Sequence, residues 1–270
     1  MYECSVLADS LNPISKRLTT VVVTYPRFVH AEVMTHRVFS RNTASSRAIP
    51  NEKLRQRVID DPAMPVWWGK NVSGMQAPEE LDEASIEKAK ACWLNARDAM
   101  LEASEQLAKI GLHKQLCNRI IESWMPITAI ISATEWDGFF RQRCHKDAQP
   151  EMRRAAEVIR DAMAASSPRK LEPGQWHLPL VRNGAGGDDQ GMALEDQVKL
   201  SVARCARVSY LTHDGRRDPH ADLDLYQRLV TQGHWSPHEH AAEALGSDKR
   251  IGNFSGFMQH RAYVDPHFLR

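Results

Sequence analysis

The sequence predicts an α+β fold in which a mixed or antiparallel sheet lies beside a helical bundle, and three observations lead to this class. β-Branched and aromatic residues dominate positions 20–33, which indicates a strand that is broken at Pro26 or lies at a sheet edge there. Five later segments have the apolar spacing of helices. The residues from Asn253 onward are expected to form a closing strand, and helices clustered beside a few strands are typical of α+β proteins.

The predicted helices follow one another along the middle of the chain. The clearest covers residues 78–110, where apolar residues recur at seven-residue intervals with alanines between them. Gly111 is expected to end this helix, and a second helix is expected from Leu112 toward Pro126, so that the two form an antiparallel pair. Residues 128–140 have a mixed apolar pattern, and further helices are predicted at 148–165, 193–208 and 223–231.

Two connections between these elements bear on the domain organisation. Residues 168–190 are polar and rich in Pro and Gly, which makes them the candidate internal linker. Because the strands at the two ends are expected to share one sheet, we predict a single domain over residues 1–270. Residues 51–77 contain Trp67 and Trp68, and this connection is expected to pack its tryptophans on the core or, alternatively, to close over a site.

Composition limits the classes of function. The chain has 270 residues and a formal net charge of +1, which gives no global attraction to nucleic acid or to an anionic membrane. The five cysteines form no C-x-x-C pair, which favours a reducing compartment over a disulfide framework. No apolar run approaches the roughly 20 residues that cross a bilayer, and the N-terminus lacks the pattern of a signal peptide. We therefore expect a soluble, cytoplasmic protein without nucleic-acid or membrane partners.

A segment rich in hydrogen-bond donors, residues 30–50, follows the first apolar run. It contains histidines, arginines, an asparagine and several hydroxyl side chains. Guanidinium groups bind phosphate and carboxylate oxygens in pairs, so these donors are expected to converge on one anionic group. The alternative is a solvated loop, and the residue types alone leave both interpretations open.

The spacing within this segment resembles a family signature. Thr35, His36 and Arg37 are followed after seven residues by Ser45, and the flavin-dependent thymidylate synthases have Arg-His-Arg, seven residues and Ser. Further matches to the longer family pattern are Ser40, Asn42 and Arg47.

Two other parts of the chain resemble the same family. Residues 233–240, Gly-His-Trp-Ser-Pro-His-Glu-His, are similar to the family's Gly-His-x-Ser/Thr-Pro-x-Glu-His, and residues 206–210 resemble the stretch that precedes it. Arg143, followed by Ala148-Gln149 and Glu151, resembles the family's Arg, short spacer and Ala-Gln-x-Glu at the start of a late helix. The resemblance therefore extends over most of the chain.

The order of these segments differs from the usual family order. The Gly-His segment normally precedes the Arg-His-Arg strand, whereas here it comes last. The chain is thus identified as a circularly permuted or rearranged, phage-like member of the family, with its thymidylate-synthase-complementing type of fold. This order predicts that the N-terminal and C-terminal segments lie side by side. Residues 253–264 are interpreted as an extra strand or as a degenerate copy of the Arg-His-Arg strand.

The resemblance assigns roles to individual residues. Arg143 and Ser45 are the expected catalytic residues, and Arg143 would face the pyrimidine and stabilise negative charge on the ring. A covalent serine mechanism is disfavoured because no Gly-x-Ser-x-Gly elbow surrounds Ser45. For Arg119 and for Arg143 the alternative is a surface charge without a ligand. The expected nucleotide-binding residues are Glu32, Ser45, Arg47, Arg119 and Arg143, and the expected flavin-binding residues are His36, Arg37, Ser40, Asn42, Ser209, His234, Ser236 and Glu239.

The resemblance also implies the reaction and its cofactors. NADPH would reduce bound FAD, and a one-carbon unit would pass from methylenetetrahydrofolate to C5 of dUMP to give dTMP. Family members are homotetramers with sites at subunit interfaces, which implies an oligomer here. The histidines at 234, 238 and 240 invite a zinc interpretation, but the spacing of recognised zinc motifs is missing, so no metal is expected.

Departures from the family pattern leave other functions open. Thr35 replaces the first arginine of Arg-His-Arg, Glu32 replaces an expected glutamine, and two family asparagines fall near Ser132 and Gly138. A carboxylate at position 32 would accept a hydrogen bond from a cytosine amino group. One alternative is therefore a methylase or hydroxymethylase of another pyrimidine nucleotide such as dCMP, and another is a nucleotide- or flavin-binding homologue without catalysis.

Overall fold

The fold combines one large sheet, two small sheets and a set of helices, which confirms the predicted α+β class. The computed structural model describes residues 1–208 and 218–268, together with the backbone of residues 209 and 210. Within these ranges, no helix has both the length and the apolar character needed to cross a membrane.

The strands and helices are numbered in chain order. The strands are β1 (Glu3–Leu11), β2 (Arg17–Pro26), β3 (Ser40–Thr43), β4 (Pro126–Ala133), β5 (Arg169–Lys170), β6 (Trp176–His177), β7 (Ala242–Ala244), β8 (Arg250–Ile251), β9 (Phe254–Ser255) and β10 (Phe257–Gln259). The α-helices are α1 (His30–Met34), α2 (Asn51–Asp60), α3 (Glu83–Lys109), α4 (Lys114–Cys117), α5 (Asp137–Arg143), α6 (Pro150–Ala164), α7 (Leu194–Ala206), α8 (Pro219–Thr231) and α9 (Arg261–Val264). Short 3-10 helices span Arg27–Val29, Arg119–Trp124, Arg207–Tyr210 and Ser236–Glu239.

The large sheet has the strand order β3-β4-β2-β1-β5. Neighbouring strands within it are antiparallel, except for β1 and β5, which are parallel. The strand predicted over residues 20–33 ends early, at Pro26, which lies opposite Pro126. Proline has no N–H to continue the ladder, and the chain turns into a 3-10 helix and α1. The interpretation of Pro26 as a sheet-edge marker is wrong, because β2 is an inner strand.

The largest part of the core lies between the sheet and α6. Alternate β2 side chains, Val21, Val23 and Tyr25, are almost fully buried, as the two-residue period of a strand requires. Gln149 caps α6 by accepting a hydrogen bond from the Met152 backbone N–H at 2.9 Å. α6 confirms the helix predicted at 148–165, and its buried face includes the apolar residues Met152, Ala155, Ala156, Ile159 and Met163.

The long helix α3 confirms the clearest helical prediction. Asp82 caps its first turn by accepting a hydrogen bond from the Ser85 backbone N–H, and Gly111 follows its last turn with a φ of +86°. The helix predicted from residue 112 toward 126 is wrong, because this segment forms only α4 and a 3-10 helix. The break falls at buried Asn118, whose side chain donates hydrogen bonds to the carbonyls of Ser46 and Ile49. These tertiary hydrogen bonds override the local preference of this segment for a continuous helix.

The C-terminal strands form two small sheets of their own, β10-β7-β6 and β8-β9. The prediction that strands from both ends share one sheet is therefore wrong, since the outer edge of β1 is paired with β5. Instead, Asn12 Nδ2 donates hydrogen bonds to the carbonyls of Leu245, Ser247 and Gly256. The N-terminal and C-terminal segments thus lie side by side as expected, although residues 253–264 form β9, β10 and α9 and not one strand.

The candidate linker, residues 168–190, folds against its neighbours. β5 pairs with β1, and β6 pairs with β7. Leu171, His177 and Asp189 are at most 2% exposed. Arg204 on α7 donates to both carboxylate oxygens of Asp189, at 2.6 and 2.8 Å. These contacts support the proposal that the chain forms a single domain.

Candidate active site

A wide pocket of about 970 Å³ lies beside the turn between α5 and α6. Its wall includes Glu32 from α1 and residues of the 141–151 segment. The tryptophan-bearing connection supplies another part of the wall, where Trp67 is 37% exposed. Trp67 therefore lines the pocket.

Arg143, the last residue of α5, is held at this pocket by three side chains from the α1 region. Its Nε donates to His36 Nε2 at 2.9 Å, its Nη1 donates to Glu32 Oε2 at 3.2 Å, and its Nη2 donates to Thr35 Oγ1 at 3.3 Å. The structure thus brings together three predicted site residues, Glu32, His36 and Arg143, from distant parts of the chain. Glu32 and Thr35, two of the departures from the family pattern, both bind the same guanidinium.

His36 acts as a neutral acceptor in this cluster. Its Nε2 accepts from an arginine N–H, so the proton of the neutral ring lies on Nδ1. Burial, and then the charges of Arg143 and Arg41, lower the pKa of His36. The ring packs edge-on against Phe139, with 4.9 Å between ring centroids. Its orientation is therefore fixed by packing as well as by hydrogen bonding.

Arg41 shapes the turn that carries His36, a role that the sequence did not predict. Its Nη1 donates to the carbonyl oxygens of Met34 at 2.8 Å, His36 at 3.3 Å and Val33 at 3.4 Å. These carbonyls lie at the C-terminal end of α1, where a cation is favourable. The one sequence feature that could have indicated this role is the position of Arg41 within the donor-rich segment, residues 30–50.

Ser40 and Asn42 on β3 bind the C-terminal half of the chain. Ser40 is fully buried, and its Oγ accepts hydrogen bonds from Gln259 Nε2 at 2.8 Å and from Asn253 Nδ2 at 3.1 Å. Asn42 Nδ2 donates to the Cys205 carbonyl at 2.7 Å. The observed contacts of these two predicted flavin residues hold β3 in place.

Ser45, Arg47 and Arg119, a second group of predicted nucleotide-binding residues, come after β3 in the chain. Ser45 is half-buried, whereas Arg47 and Arg119 are exposed. Arg119 Nη1 lies 3.0 Å from Glu122 Oε1, and the same oxygen accepts a hydrogen bond from Ser46 Oγ at 2.8 Å. The structure does not bring this group into contact with Arg143.

The predicted flavin-binding residues of the Gly-His segment, residues 233–240, differ in their exposure. His234 and Ser236 are exposed, as is Arg37. Glu239 is half-buried, and its Oε1 accepts a hydrogen bond from Arg261 Nη1 at 2.7 Å. The 3-10 helix Ser236–Glu239 packs against β3. The side chain of Ser209, the remaining predicted flavin residue, lies outside the described part of the chain.

The three histidines of this segment do not converge. His238 packs among the rings of Tyr226, Trp235 and His260. His240 Nδ1 is hydrogen-bonded to Ser132 Oγ at 2.8 Å. Burial lowers the pKa of both His238 and His240 to about 3. No three His, Cys, Asp or Glu side chains are placed to hold a metal ion in the residues that are described.

Ser132 belongs to a buried chain of hydrogen bonds across the sheet. Its Oγ is 2.6 Å from Thr20 Oγ1, which is 2.8 Å from His177 Nε2, and His177 Nδ1 is 2.9 Å from Ser10 Oγ. With His240, this chain connects β1, β2, β4, β6 and the Gly-His segment. Its only sequence signal is the presence of hydroxyl residues on apolar strands.

Comparison with known proteins identifies the relationship. A family model described as thymidylate synthase complementing protein matches residues 12–169, more than half of the 270 residues. The range contains the Arg143 cluster and ends before the Gly-His segment. A search of curated proteins found no significant match.

Similar solved structures include a UMP/dUMP methylase, PolB from Streptomyces cacaoi. Its crystal structure bound with 5-Br dUMP has a TM-score of 0.46 and 17% sequence identity, and the match covers 55% of this chain and 67% of that chain. Its structure bound with 5-Br UMP has a TM-score of 0.49 and 13% identity, and the match covers 61% of this chain and 89% of that chain.

Proposed function

Because the chain belongs to the thymidylate synthase complementing protein family, we propose that it is an FAD-dependent one-carbon transferase that converts dUMP to dTMP. The observation that carries this proposal is the Arg143 guanidinium, which three side chains hold at the wall of a pocket of about 970 Å³. This volume suits a small-molecule ligand.

Arg143 would act by stabilising charge on the pyrimidine. Before C5 can attack the one-carbon unit as a nucleophile, negative charge must build up on the ring and its carbonyl oxygens. A guanidinium that is already oriented stabilises this charge without reorganising during the reaction. His36 supports this role, because burial and the neighbouring arginines lower its pKa and the neutral ring accepts the Arg143 Nε–H.

The residues assigned to the flavin fit an anionic dinucleotide in part. Arg37, His234 and Ser236 are exposed donors whose chemistry suits phosphate oxygens. Ser40 and Asn42 are already bonded within the chain, so we assign them to holding β3 in place. The flavin, when bound, supplies the hydride transfer. NADPH and methylenetetrahydrofolate are the proposed co-substrates.

We also propose that the active protein is a homo-oligomer, a tetramer by analogy with the family. Arg143 donates its hydrogen bonds to Glu32, Thr35 and His36, and among the described residues no contact joins it to Ser45, Arg47 or Arg119. We assign the pyrimidine contact to Arg143 and the phosphate contacts to Ser45, Arg47 and Arg119. A neighbouring subunit that supplies one of the two groups would complete the site.

A second candidate function is favoured by Glu32. Its carboxylate lies on the pocket beside Arg143 and would accept a hydrogen bond from the amino group of dCMP. A methylase or hydroxymethylase of dCMP is therefore the alternative within the same class. A binding protein without catalysis is the alternative in another class.

The test is mass spectrometry of the products formed by the purified protein with FAD, NADPH and methylenetetrahydrofolate. dUMP and dCMP are offered together, and Arg143→Ala serves as the inactive control. We expect dTMP from the wild-type protein. A modified dCMP or a hydroxymethyl product would select the second candidate, and the absence of any product would select the binding protein.

A further inference from the structure

Glu32 places a hydrogen-bond acceptor directly beside the Arg143 guanidinium. The ion pair uses Glu32 Oε2, at 3.2 Å from Arg143 Nη1, and no described residue donates to Oε1. The Glu32 side chain is 35% exposed and lines the pocket. A carboxylate oxygen is thus open to a molecule bound in the pocket.

Arg143 retains donors for the same molecule. A guanidinium has five N–H groups, and His36, Glu32 and Thr35 each occupy one of them. The remaining N–H groups lie on Nη1 and Nη2. The pocket wall therefore presents an acceptor and a donor next to each other, and the opposite charges of the two side chains offset one another.

This arrangement fits the edge of a pyrimidine better than a phosphate. At neutral pH a phosphate offers only acceptor oxygens, and the Glu32 carboxylate would repel them. The uracil edge offers O4 as an acceptor beside the N3–H donor. The cytosine edge offers N3 as an acceptor beside the N4 amino donor. Both bases complement a guanidinium next to a carboxylate.

We propose that Glu32 is a specificity-determining residue that accepts a hydrogen bond from an N–H group of the pyrimidine, while Arg143 donates to the adjacent acceptor atom. The inference rests on the proposed function, since it assumes that a pyrimidine nucleotide occupies this pocket. It specifies which edge of the pyrimidine this chain recognises. It also implies that the nucleotide phosphate lies away from Glu32.

The test measures equilibrium binding of nucleotides to the full chain, without turnover. The probes are dUMP and N3-methyl-dUMP, which lacks the N3–H donor, and dCMP and N4,N4-dimethyl-dCMP, which lacks the amino N–H donors. The variants are Glu32→Ala and the matched control Glu157→Ala. Glu157 is a carboxylate of similar exposure on α6, paired with Arg153 outside the pocket.

For the nucleotide that binds, methylation is expected to weaken binding to the wild-type protein and to Glu157→Ala by roughly tenfold or more, the effect of a lost hydrogen bond to a charged group. In Glu32→Ala this penalty is expected to shrink to a few-fold, because the acceptor is already gone. An equal methylation penalty in Glu32→Ala and wild type overturns the inference while leaving the proposed function intact. No binding of either parent nucleotide contradicts the proposed function, and the inference falls with it.

Discussion

At the scale of single residues, the site depends on how Arg143 is held. Its guanidinium is planar, and its three bonds to His36, Glu32 and Thr35 point in fixed directions. A lysine ammonium would keep the charge but lose this geometry. Replacing Arg143 by lysine therefore tests the orientation of the guanidinium separately from its charge.

Arg143→Lys is expected to lower kcat/KM by roughly 10²- to 10³-fold, as the loss of an oriented stabilising donor does in other enzymes. Stability should change by less than about 1 kcal/mol, because the Arg143 ion pair lies at the pocket surface. Steady-state kinetics and thermal unfolding measure the two effects. Arg160→Lys, an exposed arginine on α6, is the matched control. Full activity in Arg143→Lys would contradict the proposed role.

Candidate site residues could be predicted from the sequence only where the spacing of a motif identified them. The motif spacing pointed to His36 and Arg143, and the structure places these two side chains in contact. Arg41 was missed because its bonds go to backbone carbonyls, for which sequence has no signature. The hydrogen bonds of Ser40 and Asn42 reach residues more than 160 positions away, and such partners follow from the fold alone.

At the scale of elements, a buried ion-pair cluster joins α7 to its neighbours. Arg204 lies 2.6 Å from an Asp189 oxygen and 2.9 Å from an Asp222 oxygen, and all three side chains are at most 7% exposed. Arg207 also pairs with Asp222, at 2.7 Å. The cluster fixes the 168–190 segment and α8 against α7.

Arg204→Met is expected to lower the free energy of unfolding by about 3–5 kcal/mol, because it removes the charge that two buried carboxylates share. Chemical denaturation measures the loss. Arg228→Met, at an exposed position of α8, is the control and should change stability by less than about 0.5 kcal/mol. Similar stabilities for the two variants would show that the cluster does not hold these elements.

The contact between the chain's two ends depends on Asn12. Asn12→Ala removes the Nδ2 hydrogen bonds to the carbonyls of Leu245, Ser247 and Gly256, and also the two that Oδ1 accepts from backbone N–H groups of its own turn. The expected effect on the free energy of unfolding is a loss of about 2–3 kcal/mol. Asn71→Ala, at an exposed position, is the control. Urea titration of both variants checks the difference. Equal midpoints would mean that the two ends are held by other contacts.

Elements with a strong local pattern were predicted, whereas their pairing was not. α3 and α6 were recognisable from the spacing of their apolar residues. The predicted common sheet failed because short C-terminal strands pair with β6, a two-residue strand within a Pro- and Gly-rich segment. Strand partners depend on contacts between distant residues, and local sequence patterns contain little information on them.

At the scale of the whole molecule, four buried histidines couple stability to pH. Burial is the main cause that lowers the pKa of His177, His238 and His240 to about 3 and that of His260 to about 4. An unfolded histidine titrates near a pKa of about 6.5. Between these values the unfolded chain binds more protons than the folded chain.

The free energy of unfolding is therefore expected to fall as the pH drops from about 6.5 toward 4, by up to about 1.4 kcal/mol per pH unit for each buried histidine. Above pH 6.5 this contribution is fully present. Denaturation curves at several pH values measure the slope. His238→Phe, which keeps an aromatic ring in the cluster, should reduce the slope by one histidine's share. His220→Phe, at an exposed position, should leave the slope unchanged, and equal slopes in both variants would contradict the account.

The central claim is that this chain forms a carbon–carbon bond at C5 of a pyrimidine nucleotide. Substitution at C5 replaces the hydrogen of that carbon, so dUMP tritiated at C5 reports the reaction directly. We expect the protein with FAD, NADPH and methylenetetrahydrofolate to release tritium into water, and Arg143→Lys to release it at least roughly 10²-fold more slowly. The same assay is run with dCMP tritiated at C5. Retention of tritium in both nucleotides under these conditions would contradict the claim.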